Sequence, residues 1–371
     1  MRARYVGLVV GLLLAAMVAP VWGADDTVYL MAPGTRQWSA PRTFWARLGV
    51  KFSPPKGAKV VRIWLVQPRT EEGQFVTDLR YSKPPVWEGV DPLYGNRFAY
   101  FEYRNPEKAV APTMEFKVTK HQLNLAVHPL HIPPVAQWPE GFETFLRSEQ
   151  RVVVNDDIRR LAQEIAGDAT TAYDKVKAFY LWILDNVRYT HEDLPDGTLG
   201  CTLQADSVHV LHKVCGHCSD WHGFFIALCR AAGIPARLNY GLELTDRKRY
   251  SPSHCRAEAY LPGYGWVNMD ITHARYHAHE AGQMTEFGYV ENTWIRMMVG
   301  TDYPLSPPSA APWPASRTGT NPPLVRIQYI EVDGEPWPDL DTANPKFKGQ
   351  ELNPQYIWDF KELSHGQERI P

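Results

Sequence analysis

The chain has 371 residues, 39 Lys plus Arg against 41 Asp plus Glu, and a formal net charge of −2. A near-neutral chain with no basic run lacks the electrostatic footprint of a nucleic-acid binder, and no glycine-rich phosphate loop points to a nucleotide. The length accommodates two hydrophobic cores.

Arg2 and Arg4 precede an apolar run from Val6 to Val18, and Val21-Trp22-Gly23 ends in a small residue. This is the pattern of a Sec-type signal peptide over residues 1–23, cleaved before Ala24, and it predicts an exported protein, periplasmic or secreted. The run falls short of the roughly 20 apolar residues of a spanning helix, and no later segment reaches that length, so no membrane span is expected after cleavage.

Residues 24–135 read as short strands. Val61, Ile63 and Leu65 alternate with Arg62 and Trp64, and Met114, Phe116 and Val118 alternate with Glu115, Lys117 and Thr119, which suggests an antiparallel β-sandwich. Two helices follow. Residues 155–167 are capped near Asn155 or Asp156, patterned by Ile158, Leu161 and Ile165, and end at Gly167; residues 171–188 carry Val176, Phe179, Ile183 and Val187. A third begins at Cys218, where Trp221, Phe225, Leu228 and Ala232 recur at helical steps before Gly233 and Pro235 stop it. Gly216 is read as the residue that lets the chain turn tightly enough to aim Cys218 outward.

A thiol at a helix start sits among unpaired N–H groups at the positive end of the macrodipole, which favours the thiolate. Such a nucleophile needs a base and a group to orient that base. Residues 253–272 supply both, as two strands around Pro262-Gly263-Tyr264-Gly265: His254 falls on the first and Asp270 on the second. Alternation places His254, Arg256, Glu258 and Tyr260 on one face, with Cys255, Ala257, Ala259 and Leu261 on the core face. Asp270 shares the face of His254 only if paired positions have an even index sum, which requires an odd number of connecting residues or a bulge; a two-residue hairpin sends Asp270 to the other side.

Gly216-His217-Cys218-Ser219-Asp220, Leu228 to Arg237, His254, Glu258, Tyr260, Gly265-Trp266 and Asp270 together resemble the transglutaminase-like superfamily. The resemblance implies an α+β fold, a papain-like core over residues 136–303 behind the β domain, with Cys218 as nucleophile, His254 as base and Asp270 as the orienting group. It implies acyl transfer or hydrolysis at an amide bond of a peptide or protein through a Cys218 thioester, with neither metal nor cofactor. The backbone N–H of Cys218 is the natural oxyanion donor. The chain departs from the family at Arg256, where an aromatic is usual. Beside His254 this cation lowers the imidazole pKa unless Glu258 or Asp270 offsets it, and it would also suit an acidic substrate. His222, four residues after Cys218, is a competing base or a buried helix histidine.

Other readings of the same residues stand beside this one. Cys215-Gly-His-Cys218 has the spacing of a dithiol oxidoreductase, and the pair could form a disulfide that gates the nucleophile. Cys215, Cys218, His222 and His254 could in principle bind zinc. A cell-envelope binding module that lost turnover is the non-enzymatic alternative. His273, His277, His279 and Glu280 read as a solvated loop, and Cys201, Cys229 and Cys255 as structural. Residues 304–371 read as a Pro-rich extension with one strand around Val325, Ile327 and Tyr329.

Overall fold

The computed structural model describes residue 36 and residues 38–128, 132–133, 137–190, 206–245, 253–311, 326–337 and 353–363. The expected signal peptide and Cys201 lie outside them. The chain opens with β1 (Trp38–Lys51), β2 (Val60–Gln67), β3 (Gln74–Tyr81), β4 (Trp87–Val90), β5 (Arg97–Arg104) and β6 (Thr113–Asn124). The second part comprises α1 (Asp156–Ala166), α2 (Ala172–Asn186), β7 (Arg188–Tyr189), α3 (Ser207–Lys213), β8 (Cys215–Gly216) and α4 (Cys218–Ala231). After them come β9 (Ala236–Glu243), β10 (Ser253–Leu261), β11 (Gly265–Met269), α5 (Ile271–Ala274), α6 (Glu280–Gln283), β12 (Tyr289–Val290) and β13 (Trp294–Val299). The tail adds β14 (Gln328–Val332), β15 (Glu335–Pro336) and β16 (Gln355–Glu362).

Two antiparallel five-stranded sheets form the N-terminal unit, one running β12-β6-β1-β16 with β3 also on β6, the other β15-β14-β2-β5-β4. Period-two burial builds their shared interior: Phe44, Ala46, Leu48 and Val50 of β1 and Met114, Phe116 and Val118 of β6 are buried. The sheets meet where Tyr81 of β3 packs edge-on to Phe101 of β5 and its hydroxyl accepts from Gln67 of β2.

The tail corrects the expected layout. The described residues of 304–371 supply three strands rather than one, and they complete the N-terminal sheets: β14 pairs with β2 and β16 with β1. The second pairing is reinforced by Arg42–Glu362 and Arg47–Asp359 ion pairs across the strands. The β unit is therefore closed by both ends of the chain.

The helical half follows the sequence closely. Asn155 caps α1 by accepting the Ile158 N–H, Thr171 caps α2 by accepting from Asp174, and Gly167 ends α1 at φ 50°. α4 packs on β9 and β10, with α1, α2 and α3 against its other sides. Hence Trp221, Phe224, Phe225, Ile226 and Leu228 are all buried, each contributing roughly 1.5–3 kcal/mol by leaving water. The sheet beneath runs β11-β10-β9-β13, and every residue of the central β9 is buried. Among the described residues, no helix is long and apolar enough to cross a membrane.

Candidate active site

Three elements converge on Cys218. It is the first residue of α4, and His217 before it closes a capping box: the Asp220 carboxylate accepts the His217 backbone N–H while the His217 ring faces Asp220 at 2.8 Å and the Ser219 hydroxyl at 3.1 Å. The cap fixes the first turn, and the N1 amide of Cys218 is one of the donors an α-helix leaves without an internal partner. Gly216 serves this turn differently from its expected role. Its φ is not left-handed; instead a Cβ there would lie 2.5 Å from the Asp220 Cβ, so the glycine makes room for the cap.

The hairpin has the register the chemistry requires. Ala257 pairs with Met269 and Leu261 with Gly265, so index sums are 526 and even, and three residues, Pro262 to Tyr264, connect the strands. Gly263 and Gly265 take φ of 82° and 75°, the left-handed values such a connection demands. Asp270, one residue past β11, therefore comes to the His254 side, and His254 Nε2 lies 2.7 Å from Asp270 Oδ2. Asp270 also caps α5, its Oδ1 accepting the His273 N–H and the Thr272 hydroxyl.

The His254 imidazole and the Cys255 thiol both act on the Cys218 sulfur. Its pKa falls well below the ordinary thiol value, first because Cys255 hydrogen-bonds the thiolate, then, against burial, because His254 and His217 place positive charge beside it. Burial alone would lower His254, yet Asp270 and the Cys218 thiolate reverse this and raise it to about 10. Asp270 is held well below the usual carboxylate range: burial opposes this, and His254, His273 and Arg256 outweigh it. The three side chains are 0–4 % exposed at His254 and Asp270, with Cys218 part-open. The arrangement stores a thiolate–imidazolium pair at neutral pH.

Arg256 is offset by Asp270, one of the two carboxylates named for it, and by Glu291, to which the sequence did not point. It is completely buried, its Nε 3.4 Å from Asp270 and its guanidinium paired with Glu291, with the Trp294 ring 4.6 Å away. Its charge is thus absorbed by two carboxylates rather than spent on His254, and it does not face a substrate. Trp294 also donates from Nε1 to the His254 carbonyl at 3.2 Å. This indole needs Gly241 opposite His254, because a Cβ there would lie 2.4 Å from the ring.

His222 and Glu258 are placed elsewhere. His222 is fully buried and its Nε2 accepts the Ile271 N–H at 3.1 Å, which ties α4 to the residue after Asp270; burial lowers its pKa to about 4, so it is neutral and its basic nitrogen is occupied. Glu258 pairs with Arg237 at 2.7 Å and Arg296 at 3.0 Å, with Trp266 beneath Arg237. That network is structural: against burial, the two guanidiniums hold the Glu258 pKa at about 2.

Cys215 is disulfide-bonded whereas Cys218, Cys229 and Cys255 are free thiols. A Cys215–Cys218 disulfide is therefore not the arrangement in this structure, and the C-x-x-C pair is not poised for dithiol exchange. The zinc set of Cys215, Cys218, His222 and His254 is undone by the same bond and by the His222 contact.

Two further residues bear on the site. Cys255 favours the Cys218 thiolate. His273, assigned to a solvated loop, stacks on His254 with ring centroids 4.6 Å apart and planes at 14°. The sequence signal for it was the spacing Asp270-x-x-His273, a capped first turn that brings the side chain back over Asp270. Glu243, His254 and His273 each present a ligand atom within 4.8 Å of the others. Parallel rings do not converge on one ion, since an imidazole coordinates in its own plane, so this trio does not fit a shared metal as it stands.

Residues 159–271 match the Transglutaminase-like superfamily. An uncharacterized protein of Haemophilus influenzae is 25% identical over 332 residues, covering 79% of this chain and 85% of that protein. A provisionally assigned cysteine protease from Cytophaga hutchinsonii has a similar crystal structure, with a TM-score of 0.60 and 17% identity over 89% of this chain and 93% of that one. The periplasmic domain of TgpA from Pseudomonas aeruginosa aligns at a TM-score of 0.33 and 18% identity, over 63% of this chain and 91% of that domain.

Proposed function

Because residues 159–271 form a transglutaminase-like domain, we propose that this protein is a thiol enzyme that cleaves or exchanges an amide bond in a peptide or protein. The observation that carries this is one group of three: Cys218 at the start of α4, His254, which favours the Cys218 thiolate, and Asp270, which lies 2.7 Å from His254. The Cys218 thiolate attacks the amide carbon, and the backbone N–H of Cys218 steadies the developing oxyanion. The His254 imidazolium gives its proton to the departing amine as the C–N bond breaks, leaving a thioester and a neutral imidazole. That imidazole then takes a proton from water or an incoming amine, which attacks the thioester and releases the acyl group. Asp270 holds His254 in the tautomer and orientation this exchange needs.

We place the enzyme outside the cytoplasm, in keeping with its signal-like N-terminus; the Cys215 disulfide supports an oxidising compartment. The functional test is direct trapping. Incubation with a panel of peptides at pH 6–7, acid quench and intact mass should reveal a hydroxylamine-labile adduct on Cys218, absent from Cys218→Ala. Mass shifts confined to other residues, or none with any peptide or amine donor, would favour the inactive binding module.

A further inference from the structure

Burial against two carboxylates takes Arg256 away from any substrate, yet a second arginine stands near the nucleophile without such a partner. Arg275 is the C-cap of α5, the short helix whose N-cap is Asp270, and it is half-buried. Its guanidinium lies 3.9 Å from the Tyr189 ring and 4.1 Å from the Tyr276 ring, Nη2 donates to the Tyr276 hydroxyl at 2.6 Å, and Nη1 donates to the Thr272 carbonyl. Both acceptors are neutral, and among the described residues no carboxylate pairs with it. The donors it keeps form the fork that takes a carboxylate bidentately. Tyr189 ties this group to the nucleophile. It stands opposite Gly216 in the parallel β7–β8 pair, the Thr190 N–H donates to the Gly216 carbonyl at 2.9 Å, and the Tyr189 ring meets Trp221 of α4 edge-on at 5.5 Å. Gly216 comes two residues before Cys218. One strand spacing of about 4.8 Å and two residues of chain, about 7 Å, keep the Tyr189 backbone within about 12 Å of Cys218. The other ring, Tyr276, is 65% exposed, so the group is open to a ligand.

We propose that Arg275 binds a carboxylate of the substrate, selecting peptides that carry an acidic side chain or a free C-terminus close to the amide attacked by Cys218. The tyrosine rings and the two hydrogen bonds fix the guanidinium before a ligand arrives, so little side-chain freedom is lost on binding. A carboxylate offers two charged acceptors to the fork, whereas an uncharged amide of the same shape offers one acceptor and returns no charge, so the site discriminates acid from amide. The span from Tyr189 to Cys218 is that of about three extended residues, which sets how far along the peptide the carboxylate sits. The inference rests on the reading that Cys218 attacks an amide, although the binding itself needs no turnover.

The experiment measures how fast chloroacetyl peptides alkylate Cys218 in the full chain, at neutral pH and low salt, with the label mapped by cysteine. Three pairs of peptide amides carry Glu or Gln at the first, second or third residue after the reactive group, and a fourth pair ends in a free carboxylate or an amide. At least one acidic probe should label about tenfold faster than its neutral twin, the size of one charge-assisted contact, and the pair that shows it tells a side chain from a terminus. In Arg275→Gln the ratio should fall to about one. Arg275→Lys, which keeps the charge and loses the fork, should fall between. Tyr276→Ala removes an exposed ring from the guanidinium and should lower the ratio about threefold. Each ratio cancels any general change in Cys218 reactivity. Equal rates for every pair on the wild-type protein, or a ratio that Arg275→Gln leaves intact, overturn the proposal. The first of these is read without any variant, so an unstable variant does not spare it. If the ratio appears while no peptide acylates Cys218, this inference stands and the enzymatic one falls; acylation without the ratio is the reverse.

Discussion

His254 and His273 stack face to face at 4.6 Å, and both turn a ring nitrogen to the same oxygen of Asp270, at 2.7 and 3.2 Å. Two imidazoliums cannot share one carboxylate at that distance, so their protonation separates. His254, next to the thiolate, is raised to about 10, whereas burial and the His254 charge lower His273 to about 4. The neutral His273, its Nδ1 3.2 Å from Asp270 Oδ2, shares that oxygen with His254. His273→Phe keeps the stack and leaves the oxygen to His254, so the alkaline limb of Cys218 alkylation should move up, by less than about one unit. A downward or absent shift in the pH profile contradicts this role.

Asp270→Asn should leave the fold in place and remove the charge that sustains the imidazolium. Acylation should fall roughly a hundredfold to ten-thousandfold. The Cys218 pKa, read from the pH dependence of alkylation, should rise toward the ordinary thiol value. An unchanged thiol pKa would mean that the His254–Asp270 contact does not support the nucleophile.

Glu258 is predicted to matter for folding and not for chemistry. Glu258→Gln removes a counter-charge from the buried Arg237 and one of two from the half-buried Arg296, which keeps Glu71, and should destabilise the protein by about 3–5 kcal/mol in denaturant titration. The alkylation rate of Cys218 in the folded protein should be unaltered. A rate loss without a stability loss would return Glu258 to the site.

Acid sensitivity should come from His222 and His273. Both are lowered from 6.5 to about 4, so their contribution to stability is full above pH 6.5 and is lost as pH falls through 4. In that window the unfolded chain binds protons that the folded chain refuses, and stability should fall by up to about 1.4 kcal/mol per pH unit for each histidine. His254 works in the opposite direction, with stability present below 6.5 and lost as pH rises through about 10. His222→Gln, which can still accept the Ile271 N–H, should remove about half of the acid slope in urea titrations between pH 6.5 and 4. An unchanged slope would show that other groups set it.

The parts of the site legible in the sequence were those fixed by local rules. The helix start at Cys218 and the cap at Asn155 follow from capping and period, whereas the even register of the His254–Asp270 hairpin was a condition that the three-residue connection meets. What escaped depends on contacts between distant segments. Arg256 looked like a threat to His254 because Glu291 and Trp294, which absorb its charge, lie about forty residues along the chain. The alternation of Tyr356, Trp358 and Phe360 marks β16, but nothing local says that it returns to pair with β1. Cys255 was correctly given to the core face; that this face looks toward α4 is a property of where α4 crosses β10.

The central claim is that Cys218 is a thiolate sustained by His254, and the pH dependence of its iodoacetamide labelling tests it most directly. With wild-type protein, mapped by cysteine, Cys218 should label fast at pH 6 and stay fast toward the alkaline limb near 10, and His254→Ala should abolish the fast phase at pH 6. Slow labelling that rises only with an ordinary thiol pKa, or a His254→Ala profile identical to wild type, would contradict the account.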